Sequence, residues 1–217
     1  MDQGVWLIMK NTYIKKLIIC ILATIVIGIS IAMMRFVDLG VDPFTSLIIG
    51  ICNITNIAFR LIYPIINALI LLIVFFVNRP MVGMGTLINL LLIGPVADYS
   101  TMFLEKQIQN PTPVTKFLIL AIGLVIMAMG VSLYTSTNIG TSAYDSLFIT
   151  IHKKNPKISL GLARIITDAI SIVIGYLGKA ILGIGTILNV FLMGPMVEFF
   201  NKTTSKKILG WAGLSLD

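Results

Sequence analysis

Two asparagines, Asn89 and Asn189, sit inside long apolar runs where a side-chain amide is costly unless something bonds to it. Each follows a threonine by three residues, Thr86 and Thr186, so threonine and asparagine share a helix face. Such a face can do two things. It can bond to another helix and hold a bundle together, or it can offer amide donors and acceptors to a small polar ligand. Asp98 and Glu198 follow the asparagines by nine residues, about 180° around a straight helix at 100° per residue. The asparagines are therefore the better candidates for ligand contact, and the acids fit a watery interface. Arg164 and Asp168, four apart in another apolar run, read as an internal ion pair, as an anion-binding arginine, or as a proton-coupling acid.

Two short stretches add a second kind of chemistry. Asp42 precedes Pro43, a side-chain cap followed by proline at the first helical position. Ser142 and Asp145 have capping-box spacing. If these helix starts point inward they present free N–H groups and positive dipole ends, and hence an anion-tolerant wall. Nothing suggests covalent catalysis. There is no Gly-x-Ser-x-Gly elbow, no His-Glu-x-x-His and no phosphate-binding Gly-x-x-x-x-Gly-Lys-Ser/Thr loop, and His152 is the single histidine. The expectation is no enzyme, no cofactor, no metal and no ATPase of its own. Cys20 and Cys52 lie in apolar segments and read as small hydrophobes without a disulfide.

The elements that carry these residues belong to a membrane. Of 217 residues 57% are apolar and 12% charged, about half the charge of a soluble domain, and the mean hydropathy is +1.00. The net charge of +7 does not indicate nucleic acid, because Lys and Arg cluster at the edges of apolar runs. The partner is the lipid bilayer. Lys10, Lys15 and Lys16 precede a run too long for a signal peptide and without a cleavage site, so it reads as an uncleaved first span.

The asparagines belong to a stretch carried twice. Residues 83–98 and 183–198 align without a gap at an offset of 100, identical at seven of sixteen positions. Gly-x-Gly-Thr-x-x-Asn opens both copies and Gly94-Pro95 or Gly194-Pro195 interrupts them. Proline removes a helix donor and clashes with the preceding turn, so both copies are expected to kink or unwind there. The short stretches repeat at the same offset, Gly40 to Leu47 with Gly140 to Leu147, and Phe44 becomes Tyr144.

The pattern gives spans at about 13–37, 59–77 (ended by Asn78-Arg79-Pro80), 81–103, 116–135, 158–177 and 181–200, with a frayed basic tail from Asn201. The short helices near 43–54 and 143–154 reach roughly 20 Å, less than the ~30 Å hydrocarbon core. The expected fold is thus an all-α integral membrane protein. It is one domain over 1–217, with a first repeat at 13–104, a polar linker at 105–115 and a second repeat at 116–201. Six transmembrane helices and two short re-entrant half-helices form two inverted three-span repeats. The alternative is eight spans in parallel repeats, which the distribution of Lys and Arg favours; helix length favours six. Both place the N- and C-termini in the cytoplasm.

With Gly-Thr-Ser-Ala-Tyr-Asp-Ser-Leu at 140–147, Gly40 with Asp42-Pro43, and the Gly-x-Gly-Thr-x-x-Asn signatures from Gly83 and Gly183, the chain resembles the YczE/YyaS/YitT group of bacterial multi-pass membrane proteins. The first short helix departs from the aromatic-Asp pair, having Phe44-Thr45 where the second has Tyr144-Asp145. The resemblance implies a bacterial cytoplasmic membrane and supplies no substrate. Duplicated halves with broken helices and mid-span polar residues point to a transporter or permease subunit for a small polar or anionic solute. It would work alone, as a homo-oligomer, or energised by a separate ATPase. A non-transporting scaffold or sensor for envelope or biosynthetic processes is the other reading. On the transport reading the candidate substrate-binding residues are Asn89, Asn189, Thr86, Thr186, Asp42, Ser142 and Asp145. Arg164, Asp168, Asp98 and Glu198 are the candidate structural or coupling charges.

The topology is testable directly. In a background lacking Cys20 and Cys52, single cysteines at Arg60 and Lys106 should react with an impermeant thiol reagent from outside the cell. Reaction only after permeabilisation would favour eight parallel spans.

Overall fold

The computed structural model describes residues 3–77 and 82–214, with side chains from residue 11 onward. Among these every regular element is helical: α1 (Gln3–Val37), α2 (Pro43–Thr55), α3 (Phe59–Val77), α4 (Met84–Gln107), α5 (Pro113–Ser136), α6 (Ala143–Lys154), α7 (Leu160–Leu177), α8 (Ile184–Phe200), a π-helical turn (Asn201–Ser205) and α9 (Lys206–Trp211). Six helices are long and apolar enough to cross a membrane, the last running on from Ile184 to Trp211. Leu91, Phe191 and Tyr176 are among the large apolar side chains left on the outside, as lipid contact requires. This is a multi-pass membrane protein.

The short helices start where their side chains make them start. The Asp42 carboxylate accepts the Thr45 N–H at 3.0 Å with Pro43 at the first position, and Ser142 Oγ accepts the Asp145 N–H at 3.0 Å. Each caps a donor that would otherwise be orphaned at a helix end.

The helices meet in an exchanged pattern. α1 and α5 cross at the centre, where a Cβ on Gly130 would come within 2.9 Å of the Ile27 side chain. α4 flanks α1, with Gly28 facing Val96, and α8 flanks α5. The short helices pack across: α2 lies on α7 and α6 on α3. At the α2–α7 contact Gly175 leaves room for Ser46, and Asn53 Nδ2 donates to the carbonyls of Gly178 and Lys179 at 2.9 and 3.0 Å.

The same exchange appears in single hydrogen bonds. The Gly85 N–H donates to the Ile139 carbonyl at 2.9 Å, and the Gly185 N–H to the Leu39 carbonyl at 2.8 Å. Each long helix that opens with Gly-x-Gly-Thr thus docks on the loop before the other half's short helix. Gly40 and Gly140 turn those loops at φ +107° and +144°, a backbone region that a Cβ disfavours. A Cβ at Gly40 would lie 2.7 Å from Gly183 N, and one at Gly140 would lie 2.7 Å from Thr86 Oγ1.

α4 continues to Gln107 and Thr112 caps α5 at Pro113, which leaves 108–112 between the two helices. Two expectations change. The helices run unbroken through Gly94-Pro95 and Gly194-Pro195. In the first copy Gly94 lets the α3 backbone at Arg60 approach, whereas Gly194 faces open space. From Asn201 to Trp211 the chain is helical rather than frayed. A buried serine, Ser132 on α5, needs partners there; its hydroxyl donates to Asn201 Oδ1 at 2.7 Å and pairs with Ser205 Oγ. Lys15 Nζ then reaches the Ala212 carbonyl at 2.7 Å. The proposed boundary at Asn78-Arg79-Pro80 lies outside the described residues.

Gly40→Ala and Gly140→Ala should each destabilise the protein by about 1–3 kcal/mol, from backbone strain alone. Gly194→Ala, within a helix and facing nothing, should be neutral or stabilising by up to ~1 kcal/mol. Thermal unfolding in detergent measures all three; equal losses would contradict the docking of the two halves at these glycines.

Candidate binding cavity

α1 to α8 all contribute to one cavity of about 410 Å³. Its size falls within the roughly 300–1,000 Å³ of small-molecule sites. Asn89 from α4 and Asn189 from α8 both line it. Asn89 Oδ1 accepts from the Tyr63 hydroxyl at 3.4 Å; Asn189 Nδ2 donates to the Gly185 carbonyl at 3.3 Å and to Met34 sulfur at 3.2 Å. The starts of both short helices line it too, bringing Asp42, Ser142 and Asp145 to the wall. Phe44 and Tyr144, one hundred residues apart, stack across it with ring centroids 4.7 Å apart. Tyr63 meets Phe44 edge-on at 5.8 Å.

The polar wall is only partly satisfied from within. Asp42 Oδ2, Thr45 Oγ1 and the Tyr134 hydroxyl are buried without a well-formed hydrogen bond, Thr45 lying beside the Asp42 carboxylate and Tyr134 beside Thr86, and Asp42, Thr45 and Tyr134 line the cavity. Tyr134 is 2% exposed. A buried polar atom left unmatched costs about 1–3 kcal/mol, so this wall is suited to a guest that brings donors and acceptors.

Over residues 14–202 the chain matches the family of unknown function DUF6198. It belongs to that family. Its relatives include an uncharacterized protein of Haemophilus influenzae, 26% identical over 190 residues and covering 86% of this chain and 83% of the relative. The uncharacterized protein YyaS of Bacillus subtilis is 24% identical over 183 residues, covering 84% of this chain and 90% of YyaS. No solved structure matches the chain. The DUF6198 chain is thus a YyaS-like bacterial membrane protein, in line with its signature motifs.

Within this DUF6198 member the other candidate residues divide. Thr86 and Thr186 are buried at the two docking joints and do not line the cavity. The Thr86 hydroxyl accepts the Gly83 N–H at 3.1 Å and donates to the Thr141 carbonyl at 2.7 Å, and Thr186 Oγ1 accepts the Gly183 N–H at 3.5 Å. They position the asparagines one turn on. The helix starts are capped by their own side chains, and three carboxyl groups, Asp42, Asp145 and Asp168, share the wall with one guanidinium, Arg164.

Arg164 and Asp168 do pair, at 3.8 Å, and the Tyr144 hydroxyl donates to Asp168 Oδ1 at 2.5 Å. Asp98 and Glu198, equivalent in sequence, part company. Asp98 is buried, 2.8 Å from the Arg35 guanidinium, and accepts the Arg60 N–H at 3.0 Å. Arg35 also lies 4.5 Å over the Phe59 ring. Glu198 is exposed and meets Lys202 at 2.6 Å. The sequence did not single out Tyr63, Asn67, Phe44 or Tyr134 as cavity residues. The one available signal was the aromatic pair at 44 and 144, kept at the repeat offset.

Asp98→Ala should cost about 3–5 kcal/mol, because it strands Arg35 in a buried pair. Glu198→Ala should leave the melting temperature unchanged. Equal effects in thermal unfolding would remove the distinction between the two acids.

Proposed function

We propose that this DUF6198 protein is a secondary carrier, or the membrane subunit of a permease, that moves a small polar solute through its central cavity. The observation that carries this reading is that Asn89 and Asn189, from two copies of one motif, line the same partly unsatisfied cavity. A scaffold would have no need to keep a polar void between its halves, where packed apolar side chains would be more stable.

The topology of this reading is six spans with re-entrant α2 and α6. Arg35 at the end of α1 and Arg60 at the start of α3 both attach to Asp98. The chain between them therefore leaves and returns at one level, which supports an α2 that enters the bilayer and comes back. Lys15 bonded to Ala212 supports chain ends on one face, as an even number of crossings requires. An α1–α4 and an α5–α8 half of three crossings each are then inverted, the arrangement on which alternating access is commonly built. The distribution of Lys and Arg favours the cytoplasm for that face, and bacterial relatives suit the cell membrane.

In a background lacking Cys20 and Cys52, Asn189→Cys should react with an impermeant thiol reagent from both sides, in right-side-out and in inside-out vesicles. Reaction from one side, or from neither, would remove the carrier reading in favour of a scaffold or sensor.

A further inference from the structure

Resting on the reading that the cavity holds a solute, we infer that the solute is a small organic cation, an ammonium group paired with the Asp42 and Asp145 carboxylates beside an aromatic cluster. Charge gives the first argument. Asp168 is engaged by Arg164 and Tyr144, but among the described residues neither Asp42 nor Asp145 forms an ion pair. Three carboxyl groups share the wall with one guanidinium. A buried carboxylate is costly in its charged form unless a cation pairs with it. A monovalent cation in the cavity would supply the partner that Asp42 and Asp145 lack; an anionic guest would not.

The lining gives an independent argument. Phe44 and Tyr144 stack on one another at 4.7 Å and Tyr63 meets Phe44 edge-on at 5.8 Å, so the cluster borders the cavity with no gap between its rings. Aromatic rings attract ammonium ions within about 6 Å of their centroids. The same cavity already holds one cation in this way, since the Arg164 guanidinium carbon lies 5.7 Å over the Phe148 ring. Asp42 Oδ2, which makes no well-formed hydrogen bond, is an acceptor that the guest's charged head would satisfy. Apolar side chains such as Ile27, Met127 and Met193 complete the wall and suit methyl groups better than a hydrated metal ion.

The test uses three isosteric probes with the full-length purified protein: choline, its neutral analogue 3,3-dimethylbutan-1-ol, and the anion 3,3-dimethylbutyrate. Tetramethylammonium and methylammonium cover smaller heads. At equal millimolar concentrations the cations should raise the melting temperature in a dose-dependent way, and the neutral and anionic analogues should not. Asp42→Asn and Asp145→Asn should each weaken cation binding about tenfold or more, and Phe44→Leu several-fold. If a variant fails to fold, the isosteric series on the unaltered protein decides alone. Stabilisation by the anion or the neutral analogue, equal to or above that by choline, overturns the inference. So does the absence of any effect of all three cations. In either case two-sided reactivity at Asn189→Cys would leave the carrier reading intact with a different solute; loss of that reactivity would remove the carrier reading itself.

Discussion

The structure depends on backbone groups that no helix can satisfy by itself. A chain that breaks within an apolar environment must find partners for its free N–H and C=O groups in protein, because lipid offers none. Here the partners come from the other half. Gly85 bonds to Ile139 and Gly185 to Leu39, so each half closes the break in its counterpart. That exchange demands glycine at 40 and 140, where a Cβ would strike the incoming helix, and threonine at 86 and 186, which ties down the first turn. The same two joints set the depth and rotation of α4 and α8, and so aim both asparagines at one cavity. Packing and function therefore share a cause: the residues that close the breaks also position the polar wall.

On this nearly symmetric frame the charges are not symmetric. Arg35 and Arg60, which hold Asp98, have Thr135 and Leu160 as their counterparts, so Glu198 lacks a buried cation and turns to Lys202 outside. Arg164 and Asp168 stand opposite Pro64 and Ala68, and only the second half carries that pair. The first half is pinned by a buried ion cluster around one end of α3. The second half faces the cavity with an arginine tied to a carboxylate and to a tyrosine-bearing short helix.

Much of this was legible in the residues. Period and length gave the helices, and Asp42-Pro43 and Ser142 marked the starts of α2 and α6. Asn89 lines the cavity, and Asp98, on the other side of the same helix, faces Arg35. What the sequence hid depends on contacts between distant parts. Thr86 and Thr186 looked like ligands because a turn of helix places them beside the asparagines; only the loop from the other half reveals them as joints. The Gly-Pro pairs looked like breaks, yet Gly94 is a seat for α3 and the helix carries on. The gathering of Asp42, Asp145 and Asp168 on one wall was hidden too, because no local pattern brings those three together.

The central claim is that two half-helices from opposite halves end at one polar cavity framed by the paired asparagines. An experimental structure in lipid nanodiscs, with a rigid antibody fragment bound to give it mass, tests this most directly. The account predicts that α2 and α6 begin near the midplane and return to the face they left, with Asn89, Asn189 and the Phe44–Tyr144 stack around density that is not protein. A map in which α2 crosses the bilayer, or in which the asparagines pack dry against neighbouring helices, would contradict it.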